Sequence, residues 1–389
     1  MKILTRTILL LSLVSLLTDV SSEMLYPVMP VYLKSIGFSA LFIGILEGFA
    51  EAVAGFSKGY FGQLSDSKGR RLPFVQLGYG LSSLSKLMMG VLAFPLWIFG
   101  ARTIDRLGKG IRTSSRDALL SSETTPEHKG KVFGFHRGAD TIGAAIGPVV
   151  ALVFLAFYPN QYQMLFLLAF IPAALGVVAT AIIREKPLEV TAKNTKRVGL
   201  FSFLGYWKTA PSEFRHIVVG LLFFALMNSS DLFILLLIKH RGASDVDVIK
   251  AYILYNLIYA VAAFPIGILA DKIGLRRMLI IGLALFTVVY GGLAITSDYL
   301  MICILLALYG IYAGASEGVA KAWITNSVSK SETATALGFF TGMGSIFALL
   351  SSVLAGLLWS AFSPEMPFVV SAVGAVVVVG YFARMAMAR

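Results

Sequence analysis

Long apolar runs are the feature that most limits what this 389-residue chain can fold into. They extend over about 20 residues or more, the length that an α-helix needs to cross the hydrocarbon core of a bilayer. About twelve such runs follow one another, the first over residues 5–33 and the seventh over residues 213–238. Only 14% of the residues are charged, whereas a soluble domain carries roughly 25%. The sequence therefore predicts an all-α membrane protein with about twelve transmembrane helices.

A short basic loop occurs twice, about two hundred residues apart. The two copies read Gly62-Gln-Leu-Ser-Asp66-Ser-Lys-Gly69-Arg70-Arg71 and Gly267-Ile-Leu-Ala-Asp271-Lys-Ile-Gly274-Leu-Arg276-Arg277. A second match joins Lys131-Val-Phe-Gly134 to Thr335-Ala-Leu-Gly338, so the repeat extends into the fifth and eleventh spans. The chain is therefore predicted to consist of two related halves, residues 1–183 and 213–389, joined by a polar linker over residues 184–212.

The residue types in the repeated loop predict its local structure. Glycine at positions 69 and 274 suits the end of a helix, where the backbone enters a left-handed conformation. The aspartates at 66 and 271 lie where a helix meets the loop, so an arginine from a neighbouring helix is the expected partner. Such an ion pair either latches two conformations or serves as a static topology anchor. The predicted latch consists of Gly62, Asp66, Gly69, Arg70, Arg71, Asp271, Arg276 and Arg277.

Three motifs resemble those of the major facilitator superfamily. The repeated loop resembles the signature between its second and third helices, which recurs after the eighth. Arg106-Leu-Gly-Lys-Gly110 resembles the fourth-helix signature, whose arginine is associated with proton coupling, and Gly143-Ala-Ala-Ile-Gly147-Pro148 resembles the fifth-helix signature of antiporters. The resemblance implies two pseudo-symmetric six-helix bundles that carry a substrate by alternating access. Small residues four apart also permit close helix packing, and proline bends a helix.

The net charge of +12 raises the question of nucleic-acid binding. The basic residues cluster instead in alternate loops, which is a signal of membrane topology. We therefore expect no nucleic-acid partner, and we expect both termini on the cytoplasmic side of a prokaryotic inner membrane. The single cysteine, Cys303, provides no metal motif and no disulfide framework. We expect a monomer without a cofactor, whose partners are the lipid bilayer, protons and a small-molecule or ion substrate.

Ionisable residues inside the spans are the second informative set. A charge at the centre of a bilayer costs at least about 2.5–3.5 kcal/mol, so such residues face a cavity or one another. The candidates for substrate binding and proton coupling are Asp19, Glu23, Glu47, Glu51, Arg106, His136, Asp140, Asp231 and Glu317. Further charges inside the spans are Lys86, Arg102, Asp105, Lys109, Arg137 and Lys321. Some of these charges pair off as structural salt bridges in the alternative reading, which is strongest for Lys86, Arg102 and Lys321.

Two readings remain for the acidic residues. Carboxylates close to one another can bind and release a proton near neutral pH and so couple proton flow to transport. Alternatively Asp19, Glu23, His136 and Asp140 supply oxygen and imidazole ligands to a transported metal ion. Aromatic residues such as Tyr255 and Tyr259 either line the path or face lipid.

Enzymatic function is not predicted. The Gly314-x-Ser316-x-Gly318 pattern of serine hydrolases lies inside an apolar helical span, whereas a nucleophile elbow needs a strand before it. No Gly-x-x-x-x-Gly-Lys-Ser/Thr loop for ATP is present. We expect a secondary active transporter, a proton-coupled antiporter that exports a small cationic or amphipathic compound. The alternatives are efflux of a divalent metal ion such as nickel or iron, and an uptake symporter or facilitator of the same fold.

Overall fold

The computed structural model describes residues 4–26, 28–37, 40–185, 199, 201–229 and 231–385. Within these ranges the regular structure is helical, and no strand is formed. The α-helices are α1 (Arg6–Leu25), α2 (Met29–Ser35), α3 (Ala40–Lys68), α4 (Leu72–Val91), α5 (Pro95–Ser122), α6 (Lys129–Phe157), α7 (Tyr162–Thr180), α8 (Tyr206–Thr209), α9 (Ser212–Met227), α10 (Asp231–His240), α11 (Asp245–Ile273), α12 (Leu275–Ile295), α13 (Tyr299–Asn326), α14 (Thr333–Ala361) and α15 (Met366–Arg384).

Two of the twelve predicted spans are divided in the structure. The first span becomes α1 and α2, on either side of position 27, where proline has no N–H for a helical hydrogen bond. The seventh span becomes α9 and α10, because Asn228 leaves the helical conformation at φ −90° and ψ 99°. Both spans are therefore interrupted, and they occupy corresponding positions in the two sequence halves.

Nine helical segments in the described part of the chain are long and apolar enough to cross a membrane. The remaining predicted spans correspond to α3, α4 and α5. Helix α5 departs most from an apolar span, because charged side chains recur along it and most of them are buried. Before α9 the structure forms a 3₁₀ turn at Ser202–Gly205, which is followed directly by α8.

The chain forms two compact units. Unit 1 contains Met1–Thr124, Ala139–Ala210 and Val328–Gly342, and unit 2 contains Thr125–Gly138, Pro211–Ser327 and Met343–Arg389. The same packing scheme occurs in each: α5 packs on α3 and α4 in unit 1, as α13 packs on α11 and α12 in unit 2. The units differ from the sequence halves because each contains the start of one helix from the other half. The linker over residues 184–212 stays a prediction, because much of it lies outside the described residues.

Helix α6 packs against α1 through the Gly-x-x-x-Gly motif of unit 1. A Cβ atom on Gly143 would lie 2.5 Å from the carbonyl oxygen of Leu16, and one on Gly147 would lie 2.7 Å from that of Val20. The backbones of α1 and α6 therefore lie so close together that only glycine fits at these two positions without a shift of the helices. Pro148 follows inside α6. The helix-packing role predicted for these three residues of the motif agrees with this geometry.

This contact predicts a difference between two glycine substitutions. We expect Gly143→Ala to destabilise the protein by about 1–3 kcal/mol, as overpacking does. Gly100 in α5 has no atom within 4 Å of a Cβ position, so Gly100→Ala should be neutral or stabilise the helix by up to about 1 kcal/mol. Thermal unfolding in detergent, followed by tryptophan fluorescence, measures both. Equal melting temperatures for the two variants would contradict the close approach of α1 and α6.

Candidate functional site

The first copy of the repeated loop forms a buried hydrogen-bond network in unit 1. Oδ1 of Asp66 accepts a hydrogen bond from Nη2 of Arg71 at 2.9 Å. Its Oδ2 accepts from the backbone N–H of Thr335 at 2.7 Å and from the hydroxyl of Thr335 at 3.0 Å. Arg71 also donates to the carbonyl oxygens of Ala118, at 3.1 Å, and of Lys330. One carboxylate and one guanidinium thus connect three helices with the turn before α14.

The second copy uses its aspartate at the corresponding place in unit 2. Oδ1 and Oδ2 of Asp271 accept hydrogen bonds from the backbone N–H groups of Gly130 and Lys131, both at 2.8 Å. Lys131 and Thr335 are equivalent in the sequence repeat, so both aspartates bind the first turn of the helix that begins there. A helix start has N–H groups without intrahelical partners and a partial positive charge, and it therefore attracts a carboxylate.

An arginine partner was predicted for both aspartates, and among the described residues only Asp66 has one. Asp66 pairs with Arg71, which belongs to the same loop and not to a separate neighbouring helix. Asp271 forms no ion pair with Arg276 or Arg277 in the described part of the chain. Arg70 and Arg277 are exposed.

The glycines of both loops behave as predicted. Gly69 and Gly274 have positive φ angles of 64° and 97°. Gly62 and Gly267 lie against the carbonyl oxygens of Ala334 and Gly130, where a Cβ atom would clash. These contacts allow each aspartate-bearing helix to approach the helix start that its carboxylate binds.

Helix α5 pairs its charges with those of adjacent helices. Nζ of Lys86 lies 2.6 Å from Oδ1 of Asp105, and Nη1 of Arg102 lies 3.6 Å from Oδ2 of the same carboxylate. Nη1 of Arg106 lies 3.2 Å from Oε1 of Glu51. The structural salt-bridge reading of Lys86 and Arg102 agrees with this geometry, and the arginine of the fourth-helix motif is itself in an ion pair.

Two further arginines of α5 extend this network towards α1 and α4. Arg116 lies 2.9 Å from Oδ1 of Asp117 and donates to the hydroxyl of Ser15 at 2.7 Å. The guanidinium carbon of Arg112 stands 4.5 Å from the centroid of the Tyr79 ring. The Tyr79 hydroxyl and Ser15 are 3.2 Å apart. A continuous set of polar contacts therefore links three helices inside unit 1.

Asp19 belongs to a cluster of positive and negative charges in unit 1. Its electrostatic neighbours are two carboxylates and two cations, namely Asp140, Glu23, Lys109 and Arg112. Asp140 is buried, with 4% of its surface exposed, and Asp19 is partly buried. The close contact of α6 with α1 brings them near one another, because Gly143, one turn after Asp140, lies against the α1 backbone at Leu16 and Asp19. Unit 1 therefore holds several carboxylates whose charges repel and two cations that offset them.

Unit 2 has a smaller polar group surrounded by tyrosines. Nη2 of Arg137 lies 2.8 Å from Oε2 of Glu317, and its guanidinium carbon stands 5.3 Å from the centroid of the Tyr259 ring. Oδ1 of Asp231 accepts a hydrogen bond from the Tyr309 hydroxyl at 2.7 Å. Asp231 is the first residue of α10 and follows directly on the break in the seventh span.

The structure brings together only part of the predicted site. Asp19, Glu23 and Asp140 share a cluster in unit 1, and Glu51 pairs with Arg106 nearby. His136 is buried in unit 2, and the side chain of Glu47 lies outside the described residues. Among described residues, no three His, Cys, Asp or Glu side chains form a group that could hold a metal ion. The metal-binding alternative therefore has no supporting geometry there.

Several residues of these clusters were not in the predicted site. Lys109 and Arg137 were noted as charges inside spans, but spacing alone did not show which carboxylates they approach. Tyr309 gave no signal in the sequence, because tyrosine in an apolar span is as consistent with packing as with binding. Its contact with Asp231 joins residues 78 positions apart.

Comparison with known proteins identifies the family. The model of the Major Facilitator Superfamily matches residues 11–255 and 217–388. The chain belongs to the major facilitator superfamily. This superfamily member is 34% identical over 380 residues to an uncharacterized MFS-type transporter of Methanocaldococcus jannaschii, covering 96% of this chain and 93% of the relative. It is 23% identical over 356 residues to a multi-drug resistance efflux pump PmrA homolog of Lactococcus lactis, covering 86% and 85% of the two chains.

A solved structure extends the comparison to the fold. The human organic anion transporter MFSD10 superposes with a TM-score of 0.79 over 97% of this chain and 99% of that chain, at 17% identity. The superfamily member is thus an all-α integral membrane transporter with two pseudo-symmetric six-helix bundles, and it is not an enzyme.

The asymmetry between the two loops predicts unequal effects of removing their aspartates. The Arg71 side chain is 1% exposed, so Asp66→Ala leaves a buried charge without its carboxylate. We expect a loss of about 3–5 kcal/mol, as for other broken buried pairs. Asp271→Ala should cost about 0.5–2 kcal/mol, as the loss of a helix cap does.

Melting temperatures in detergent test this difference. The variant that combines Asp66→Ala with Arg71→Met is the matched control, because it removes the unpaired charge and should recover part of the lost stability. If the double variant is no more stable than Asp66→Ala alone, the ion pair is not what stabilises this loop.

Proposed function

We propose that this protein is a proton-coupled secondary transporter that exports a small cationic or amphipathic compound by antiport. Asp19, with Asp140 and Glu23, is the group that exchanges protons, and Lys109 and Arg112 modulate its charge. The single observation that carries the proposal is the convergence of these side chains in unit 1. Lys109 and Arg112 belong to α5 and Asp140 belongs to α6, the two helices whose motifs resemble proton-coupling and antiporter signatures.

The physical case rests on the cost of uncompensated charge in a membrane. Neighbouring carboxylates in a low-dielectric interior repel each other, so one of them readily takes up a proton. A proton that crosses the membrane gains about 2.3 kcal/mol per 100 mV. A transporter in which proton uptake by such a carboxylate and binding of a cationic substrate drive opposite conformational changes converts this energy into export.

Alternating access needs a contact that forms in one state and breaks in the other. The bonds from Asp66 to Thr335 and from Asp271 to Lys131 suit this role, since each joins a repeated loop to a helix start from the other sequence half. We place these loops on the cytoplasmic side of a prokaryotic inner membrane, because their basic residues follow the positive-inside rule. Each carboxylate would release its helix when the two halves move apart.

The relatives support export without deciding the substrate. The Lactococcus lactis relative is named a multi-drug resistance efflux pump homolog, which agrees with the direction and breadth that we propose. Uptake by proton symport remains the second function to be tested, because the same buried carboxylates serve either direction of coupling. The sign of the proton movement separates the two.

Proton movement in proteoliposomes tests the proposal. With a pH-sensitive dye inside vesicles whose interior is acidic, we expect external ethidium to raise the internal pH, because antiport removes a proton for each cation admitted. Symport would lower the internal pH instead. Asp19→Asn should abolish the response, and Glu365→Gln, in the loop before α15, should retain it. Tetraethylammonium and Ni²⁺ are tested separately in the same assay.

Three outcomes would overturn the proposal. A response that persists in Asp19→Asn excludes this carboxylate as the proton-exchanging group. A labelled solute that equilibrates without any proton movement identifies a facilitator. A response to Ni²⁺ alone would establish the metal-efflux alternative.

The latch has a separate kinetic test. Asp66→Asn weakens charge-assisted hydrogen bonds of about 1.5–3 kcal/mol, so the transport rate should fall by about tenfold or more. The Kd for ethidium in detergent should change far less, because the latch contributes no atom to the charge cluster of unit 1 or to the Asp231 group of unit 2. Ser67→Ala is the control, since its hydroxyl bonds only within its own helix. Equal transport by Asp66→Asn and wild type would exclude a latch.

A further inference from the structure

We propose that Asp231 and the tyrosines around it form the recognition site for an organic cation, such as one with a quaternary ammonium or a delocalised aromatic charge. The inference rests on the proposed function and assigns substrate recognition to unit 2, apart from the proton-exchanging carboxylates of unit 1. Four observations carry it: a helix break, a carboxylate held by neutral donors, a set of aromatic faces and the local balance of charge.

The break in the seventh span lies directly beside Asp231. Helix α9 ends at Met227, and Asn228 is extended. The Tyr290 hydroxyl donates to Oδ1 of Asn228 at 3.4 Å, so the break has a polar lining. Interrupted helices at membrane depth occur where the backbone lines a cavity or a binding site.

Neutral groups hold the Asp231 carboxylate in place. The Tyr309 hydroxyl donates to Oδ1 at 2.7 Å, and the Tyr255 ring lies beside that of Tyr309. Hydroxyl donors orient a carboxylate without cancelling its charge. The carboxylate is partly buried, so it is shielded from solvent and yet accessible to a ligand.

The local charge balance favours a cation. The other charged groups that act on Asp231 are Glu317 and Arg137, with opposite signs. These two lie 2.8 Å apart as an ion pair, so their effects largely offset each other. Asp231 remains as the excess negative charge of this group. Because an uncompensated charge inside a membrane is costly, a cation is the ligand that this group would stabilise.

Tyrosine rings supply faces for such a cation. Tyr252, Tyr255 and Tyr259 occupy one face of α11, and successive ring centroids are 6.2 and 6.1 Å apart. The Tyr255 ring lies 5.0 Å from that of Tyr309. Tyr252 and Tyr255 are only partly buried, whereas Tyr309 is 3% exposed. A cation within about 6 Å of a ring centroid gains from the negative face of the ring.

The rings behind this surface are rigidly packed. Phe286 stacks on Tyr290 with centroids 3.9 Å apart, and Tyr309 stacks on Tyr312 at 5.2 Å. All four are buried. Packing explains these inner rings, whereas the partly exposed rings beside a carboxylate offer both components of cation recognition, a counter-charge and an aromatic face.

Equilibrium binding of ethidium to the purified full-length protein tests the site. We expect Asp231→Asn to raise the Kd by about tenfold or more, because the counter-charge is lost. Tyr255→Leu should raise it by a similar factor, whereas Tyr255→Phe should stay within about threefold of wild type, since it keeps the ring face. Tetraethylammonium should compete with ethidium, and benzoate and fucose should not.

If Asp231→Asn does not fold, the comparison of Tyr255→Phe with Tyr255→Leu still tests the site. A merely structural ring would make both variants unfold or both bind normally, and either result overturns the proposal. Absence of ethidium binding by wild type also overturns it, as does competition by benzoate or fucose.

Asp19→Asn separates this inference from the proposed function. It should lose proton exchange but keep ethidium binding within about threefold of wild type, because Asp19 contributes no contact to the tyrosine cluster. If the wild type binds ethidium without exchanging protons, the Asp231 site is supported and proton antiport is overturned. If another solute drives proton exchange and ethidium does not bind, proton antiport is supported and the Asp231 site is overturned.

Discussion

Charge compensation inside apolar helices is the constraint on which this structure depends. Water cannot solvate an ion in the hydrocarbon core, so each charge has to find a partner within the protein or face a cavity. Helix α5 shows the consequence most clearly. Asp105 forms ion pairs with both Lys86 and Arg102. Glu51 pairs with Arg106, and Asp117 pairs with Arg116. Without these partners, a helix with so many charges could not be buried.

The two repeated loops each bind the start of a distant helix, but they do so with different sets of contacts. Each aspartate binds the first turn of a helix that begins far away in the sequence. Only the first copy adds a buried arginine, which also binds two backbone carbonyl groups. A duplicated motif thus preserves the carboxylate–helix contact, while the ion pair belongs to one half.

The proposed function is divided between the two units in a similar way. Unit 1 holds opposed carboxylates and cations, the arrangement suited to binding and releasing a proton. Unit 2 holds one carboxylate among aromatic rings, the arrangement suited to a cation. The glycines of α6 contribute to the first arrangement by allowing α6 to approach α1, and in the second Asp231 begins α10 directly after the break.

The helices, the repeat and the family could be read from the sequence, because hydropathy, span length and motif spacing are local properties. The loop glycines were predicted for the same reason, since a positive φ depends on the residue itself. Sequence did not predict the interruptions of the first and seventh spans, although position 27 carries a proline. An apolar run shows that a segment enters the membrane, but a single helix-ending residue is hard to distinguish from a tolerated one.

Which charges meet was decided only by the tertiary structure. Asp66 and Thr335 are 269 residues apart, and Arg137 and Tyr259 are 122 apart. Spacing along one helix shows which side chains share a face, but it does not show which helix packs on that face. The sequence alone therefore determined that this chain is a duplicated helical membrane protein with buried charges. The packing of its helices decided the partner of each charge, because ion pairing and aromatic contact act over a few ångströms and depend on distances that no local pattern encodes.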